Sequence, residues 1–191
     1  MLRTQLCRDL GIDVPIVSAP FGGGGAGPEL ASAVSNAGGL GLLGMGGVSA
    51  PRIREEIRAT RARTAKPFGV GLLLPFIQGG EVTVCVEERV PVLVLFWGDV
   101  RPLVDEAKRA ALRVLVQVGS VDEAHDAAAA GADAIIAQGF EAGGHVRGTT
   151  SLSALLPAVV DAVRPLPVLA AGGIANGRGV VAGSHSARRP S

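Results

Sequence analysis

The chain has 191 residues, a net charge of +1, 48% hydrophobic and 18% charged residues, and a mean hydropathy of +0.39. This excludes an intrinsically disordered chain and leaves enough apolar residues for a sizeable core in one domain. Near-neutral charge, 3% aromatics and the absence of Tyr exclude a steering field or a stacking platform for nucleic acid, and give an anionic membrane no purchase.

Along the chain, Pro15-Ile16-Val17-Ser18-Ala19 reads as a first short strand, ended by Pro20 and the glycine run Gly22–Gly25. Pro28–Ala37 predicts a helix with Pro in its first turn and Gly38 beyond its end. Leu40–Leu43 is the second strand, and Pro51–Arg63 a basic amphipathic helix with Ile53 and Ile57 one turn apart. Phe68–Leu73 is the third strand, stopped by Pro75, and a short helix is expected over Val82–Glu88. Then come strand Val92–Phe96, helix Val100–Ala111, strand Arg113–Val118, helix Val121–Ala130 and strand Ala132–Ala137. Helix Leu152–Val163, with Ser151 as its expected cap, precedes a seventh strand, Pro167–Ala171.

Nearly every strand is a continuous apolar run, as expected of a parallel sheet covered by helices on both faces. Regular βα alternation leaves two architectures, a doubly wound open sheet or a (β/α)8 TIM-type barrel. The Gly22–Gly27 loop lacks the GxGxxG fingerprint of a dinucleotide fold. Candidate ligand residues also recur after several strands, which favours the barrel. A barrel has eight strands and about 250 residues, whereas only seven strands are legible. The expectation is a barrel truncated after its seventh strand, with residues 1–181 forming a partial domain and 182–191 an irregular basic tail. The missing eighth strand points to a truncated or frameshifted reading of a longer gene; the alternative is a naturally frayed terminus.

The two cysteines, Cys7 and Cys85, form no CxxC pair, so neither a disulfide framework nor a zinc site is expected. The first thirteen residues carry charges and no apolar core of a signal peptide. No apolar run reaches the roughly 18 residues of a membrane span. A cytoplasmic setting is therefore expected.

The chemistry concentrates at strand ends, the catalytic edge of such barrels. Gln138-Gly139-Phe140-Glu141-Ala142-Gly143-Gly144-His145 follows the sixth strand directly. His145 reads as a general base able to take a proton from an acidic C–H near neutral pH; the plainer alternative is a loop histidine. Glu141 pairs in this reading with Arg147 or another basic residue of the rim. Gln138 is placed to bond the edge of a planar heterocycle, or is simply a satisfied rim amide. Gly172-Gly173 after the seventh strand suits a phosphate, whose alternative is a tight βα turn. The loop Ala19-Pro20-Phe21 can lay backbone against a flat ring, and Phe96-Trp97-Gly98 offers an apolar wall or packs in the core. His125, among acidic residues on a helix, and His185, in the tail, carry no catalytic expectation. No metal-ligand spacing is present.

Together, Pro15–Pro20, Leu30–Gly41, Pro67–Gly71, Gly131–Ala134, Gln138–His145 and Ala171–Gly179 resemble the nitronate monooxygenase family, formerly the 2-nitropropane dioxygenases. These are FMN-dependent (β/α)8-barrel enzymes, and the resemblance spans about residues 12 to 181. It implies that His145 deprotonates a nitroalkane or assists nitronate oxidation. It also implies flavin contacts at Gln138, Gly143, Gly144, Gly172 and Gly173. The family commonly has Asn where this chain has Gly71, so the flavin contact there is expected to be altered. The implied partners are a small nitronate or nitroalkane and O2, which yield a carbonyl compound and nitrite. An FMN-dependent enoyl-ACP reductase shares much of this pattern and is the alternative enzyme. A non-catalytic barrel remnant, associating as a homo-oligomer through its open edge, is the alternative outside catalysis. Lacking the family's eighth strand and Gly-Thr phosphate loop, the 191-residue chain is expected to retain FMN weakly or not at all.

Overall fold

The computed structural model describes residues 3–186, with side chains described as far as residue 184. The chain gathers into two compact units, Met1–Val114 and Leu115–Ser191.

In the first unit the order is α1 (Gln5–Leu10), α2 (Pro28–Asn36), β1 (Gly41–Gly44), α3 (Ala50–Arg61), β2 (Phe68–Leu73), α4 (Glu81–Glu87), β3 (Val92–Phe96) and α5 (Arg101–Arg109). β1, β2 and β3 pair in parallel, with Gly41 opposite Phe68 and Gly69 opposite Val92. Every residue of the three strands is buried, so the apolar runs cover both faces of the sheet. Ile53 and Ile57 of α3 and Val104 of α5 are fully buried.

Glycine sets how closely these layers approach. A Cβ on Gly41 would lie 1.8 Å from the Ala31 carbonyl oxygen of α2, so helix backbone rests directly on strand backbone there. Ser35 locks the same corner, its hydroxyl donating to the Pro67 carbonyl at 2.8 Å and accepting from the Gly41 N–H at 3.1 Å.

The strand expected over Pro15–Ala19 is reduced to one parallel bridge, Val17 to Leu40. The cause is local: the Leu42 N–H bonds the Ser18 side chain at 2.9 Å instead of a backbone carbonyl, and the ladder stops. Helix α1 was not expected from the sequence. Thr4 caps it by accepting from the Cys7 N–H, and Gly11 ends it in the left-handed region at φ 69°.

Glu81, at the start of α4, is 2% exposed and accepts from the Gln78 and Gly79 N–H groups at 2.8 Å each. Burial works against its charge. Backbone N–H donors at Gln78, Gly79 and Glu81 itself outweigh that and hold its carboxyl below the usual range. One turn on, the fully buried Cys85 thiol is pushed up to about 12, by burial first and then by the Glu81 carboxylate. Both cysteines are free thiols.

In chain order there follow β4 (Arg113–Val118), within which the division between the units falls, then α6 (Val121–Ala129), β5 (Ala134–Gln138), α7 (Leu152–Ala162), β6 (Val168–Ala171) and α8 (Gly177–Ser186). β4 pairs with β5 in parallel from Leu115 and Ala134 onward, and β5 with β6 from Ile135 and Val168. Ser120 caps α6 by accepting from the Glu123 N–H. At α7, Ser151 occupies the cap position but makes no capping bond; its hydroxyl meets Ser153 instead. α8 runs through residues 182–186, where an irregular tail was expected. The Asn176 side chain starts it, accepting from the Arg178 and Gly179 N–H groups at 3.0 and 3.2 Å. The rest of that expected tail, residues 187–191, lies outside the described residues.

Two outcomes follow for the first unit. Gly41→Ala forces a methyl into the Ala31 carbonyl and should cost about 3 kcal/mol, whereas Gly22→Ala, with open space around it, should fall within about 0.5 kcal/mol of the parent. Urea unfolding followed by fluorescence of the single tryptophan, Trp97, measures both. The second outcome concerns Glu81. Its depressed carboxyl stabilises the fold above the unfolded pKa of about 4.3 and loses that contribution as pH falls through the lower folded value. Glu81→Gln should therefore be less stable than the parent at neutral pH. The gap should narrow on acidification below about pH 4.3, which midpoints at a series of pH values would detect.

Candidate active site

The β5 strand ends in Gln138, which is 4% exposed. Its Nε2 donates to the His145 carbonyl at 3.0 Å and so ties the tip of the following loop to the strand end. Its Oε1 is buried and has no hydrogen-bond donor, alone in this among the described side chains. An orphaned buried acceptor costs about 1–3 kcal/mol, so a ligand that brings an N–H donor here recovers that energy.

Gly139 continues the ladder, its N–H donating to Ala171 at 2.9 Å, and the Phe140 N–H closes the loop on the Thr150 carbonyl at 3.0 Å. The Glu141 carboxylate accepts the Leu152 N–H at 3.0 and 3.1 Å, taking the capping role at α7 that Ser151 leaves open. Glu141 thus caps the helix, while Arg147 pairs with Glu123 of α6. Gly139 has no room for a side chain: a Cβ there would meet Glu141 Oε2 at 2.3 Å and the Leu152 nitrogen at 2.5 Å.

Gly143, Gly144 and His145 form the exposed tip. A Cβ on Gly143 or Gly144 would touch nothing within 4 Å, and Gly144 sits at φ 76°. Backbone N–H groups at such a tip are open to a ligand. The loop after β6 lies alongside. A Cβ on Gly172 would fall 3.4 Å from the Ala142 nitrogen, and one on Gly173 would fall 3.5 Å from Glu141 Cγ. Both glycines have positive φ, 131° and 64°. Gln138, Gly143, Gly144, His145, Gly172 and Gly173 therefore gather on two touching loops at the carboxyl ends of β5 and β6.

The remaining predicted contacts belong to the first unit. Ala19, Pro20 and Phe21 cross the ends of β1 and β2, with Ala19 and Phe21 exposed. A Cβ on Gly44 would lie 2.2 Å from the Phe21 carbonyl oxygen, and one on Gly71 would lie 2.4 Å from Pro20 Cβ. Pro20 thus fills the space that a side chain at Gly71 would need. Phe96 is core, while Trp97 is half-buried with φ 71°, a left-handed backbone that bulky residues rarely adopt. His125 is exposed on α6, and the His185 side chain lies outside the described residues.

Sequence reasoning missed three features: the Glu141 cap, the Glu123–Arg147 ion pair, and the contact of Gly119 with Gly148. In the last, a Cβ on Gly148 would lie 2.3 Å from the Gly119 carbonyl oxygen. Ser120 followed three residues later by Glu123 was a legible capping box. The three missed contacts themselves join distant positions and left no local signal.

A parallel α/β scaffold carrying glycine loops and a histidine at its strand ends defines a TIM-type enzyme fold. The nitronate monooxygenase family model matches residues 4–80 and 77–183, and the chain belongs to that family. It is 39% identical, over 95% of its length, to a (3aS,4S,5R,7aS)-5-hydroxy-7a-methyl-1-oxo-octahydro-1H-indene-4-carboxyl-CoA dehydrogenase of Mycobacterium tuberculosis, of which it covers 51%. It is 35% identical, over 91% of its length, to a nitronate monooxygenase of Paraburkholderia phytofirmans, of which it covers 60%. FabK from Thermotoga maritima superposes with a TM-score of 0.93 at 38% identity, over 98% of this chain and 60% of that one. The chain thus spans about half to three-fifths of the length of these relatives. Among the described residues no helix is long and apolar enough to cross a membrane, and no cluster of His, Cys, Asp or Glu is arranged to hold a metal ion.

The glycines of the His145 loop separate by role. Gly139→Ala should lower stability by about 2–3 kcal/mol by breaking the Glu141 cap, while Gly143→Ala should leave stability within about 0.5 kcal/mol. Chemical unfolding followed by far-ultraviolet circular dichroism compares the two.

Proposed function

We propose that this chain carries the flavin-facing loops of a cytoplasmic FMN-dependent oxidoreductase that oxidises alkyl nitronates with O2 to a carbonyl compound and nitrite. The observation that carries this reading is the orphaned Gln138 Oε1 beside the two glycine loops. An isoalloxazine ring is planar and presents a ring N–H, the donor that this acceptor lacks. Gly143 and Gly144, with open space around them, allow a flat ring to approach backbone. Gly172 and Gly173, ahead of α8, offer N–H groups to a phosphate. The residues therefore fit FMN.

When bound, FMN would supply the two-electron chemistry and its coupling to O2. The chain's own part is acid–base and positional. The imidazole of His145 takes the proton from the carbon bearing a nitro group, and the C–H electron pair stays behind in the nitronate. Gln138 holds the His145 backbone through its carbonyl. Because the loop tip is exposed, water exclusion during turnover falls to substrate or to further chain.

A second reading, reduction of an enoyl thioester by NAD(P)H through the same flavin, is favoured by the 39% identity to the octahydro-indene-4-carboxyl-CoA dehydrogenase and the likeness to FabK. His145 would then exchange a proton with the acyl chain.

One experiment separates these readings. The chain is mixed with excess FMN, and its spectrum is taken before and after the free flavin is removed. We expect perturbed flavin bands in the mixture and weak retention afterwards. With FMN kept in excess, oxygen uptake on an alkyl nitronate supports the first reading, and NAD(P)H consumption on an enoyl thioester the second. His145→Ala should lower turnover of the neutral nitroalkane by about 10²-fold or more without altering the flavin spectrum. No flavin perturbation, together with concentration-dependent association, would favour the non-catalytic alternative.

A further inference from the structure

At the loop tip neither Gly143 nor Gly144 has a neighbour within 4 Å of a Cβ position. A general base nevertheless has to be held to a fraction of an ångström. On one side the tip is tied by Gln138 to the His145 carbonyl. On the other side Arg147 is attached, its guanidinium pairing with the Glu123 carboxylate. Glu123 is itself fixed on a rigid element: it lies in the first turn of α6, its Oε2 accepts the Gly119 N–H at 2.7 Å, and its own N–H bonds Ser120 Oγ at 3.2 Å. Immediately after Arg147, Gly148 rests backbone to backbone on Gly119. A cavity of about 240 Å³ lined by Gly119, Ser120, Glu123, Arg147, Gly148 and Thr150 opens beside this contact.

We propose that Glu123 is a positioning residue for His145, holding Arg147 so that the loop is fixed on both sides of the imidazole. The pair is partly exposed, with 40% of the Arg147 and 28% of the Glu123 side chain accessible. At that exposure an ion pair adds little to global stability; its effect is on where the loop sits. The Gly119–Gly148 contact gives the pair its leverage. Only two residues lacking side chains let the backbones come close enough for a carboxylate anchored on Gly119 to reach Arg147. This inference rests on the reading of His145 as a base.

The test uses Glu123→Gln, which retains an acceptor for the Gly119 N–H but not the charge, together with Arg147→Met and the double variant. Amide hydrogen exchange is measured on the full chain without flavin. Exchange across 143–148 should quicken roughly two- to fivefold in either single variant, no further in the double, with α6 and β5 unchanged. With excess FMN and substrate, kcat should fall roughly ten- to a hundredfold, KM and flavin affinity should change less than about twofold, and Arg147→Lys should recover most of the loss. Unchanged loop exchange, additive single effects, or loss of α6 protection in Glu123→Gln would overturn the proposal. If the parent chain turns over neither substrate class, the reading of His145 fails by itself, and the exchange data still decide whether the clamp exists.

Discussion

One carboxylate organises the candidate site. Glu141 reaches eleven residues along the chain to accept the first free N–H of α7, and its stem lies against Gly172 and Gly173. The unsatisfied donors of a helix start draw in an anion. Here that anion comes from the loop itself, so the need of α7 for a cap and the closure of the His145 loop are met by one contact. Gly139 must lack a side chain for this to happen, and the Phe140–Thr150 bond closes the loop at its base. The carboxylate nearest the histidine in sequence is therefore structural.

The strands dictate where chemistry can occur. In the first unit they are buried on both faces and filled with apolar side chains, which leaves no polar surface except at their ends. Close approach at those ends is obtained by removing side chains. Gly41 admits helix backbone, Gly44 and Gly71 seat the Pro20–Phe21 turn, and Gly119 and Gly148 meet face to face. In the second unit, Gln138 at the end of β5 has a buried oxygen lacking a donor. That is a small stored cost at the point where a ligand would relieve it.

The fold was legible where burial is its own signal. Phe68–Leu73, Val92–Phe96 and Arg113–Val118 form strands with the expected limits, because short, mainly apolar runs between turn residues admit little else. The first strand was overestimated because a serine hydroxyl, invisible to periodicity, takes the N–H that would have extended it. Helix α1 was missed although Thr4 and Gly11 mark its ends, since six residues offer too little periodicity to read. At the site, the grouping of Gln138, His145 and the Gly172–Gly173 loop followed from strand ends alone. The partners of Glu141, Glu123 and Arg147 did not, because which carboxylate meets which donor depends on how separate loops fold together.

The buried thiols carry a practical consequence. Cys85 is fully enclosed and its thiol is held near 12, so almost none of it is thiolate at neutral pH. Cys7 is equally enclosed, and both lie in the first unit, while the second has no cysteine. A thiol-selective alkylating reagent can therefore reach these two cysteines only during excursions that open the first unit. The unaltered chain contains its own chronometer for the breathing of that half, one that is blind to events around His145.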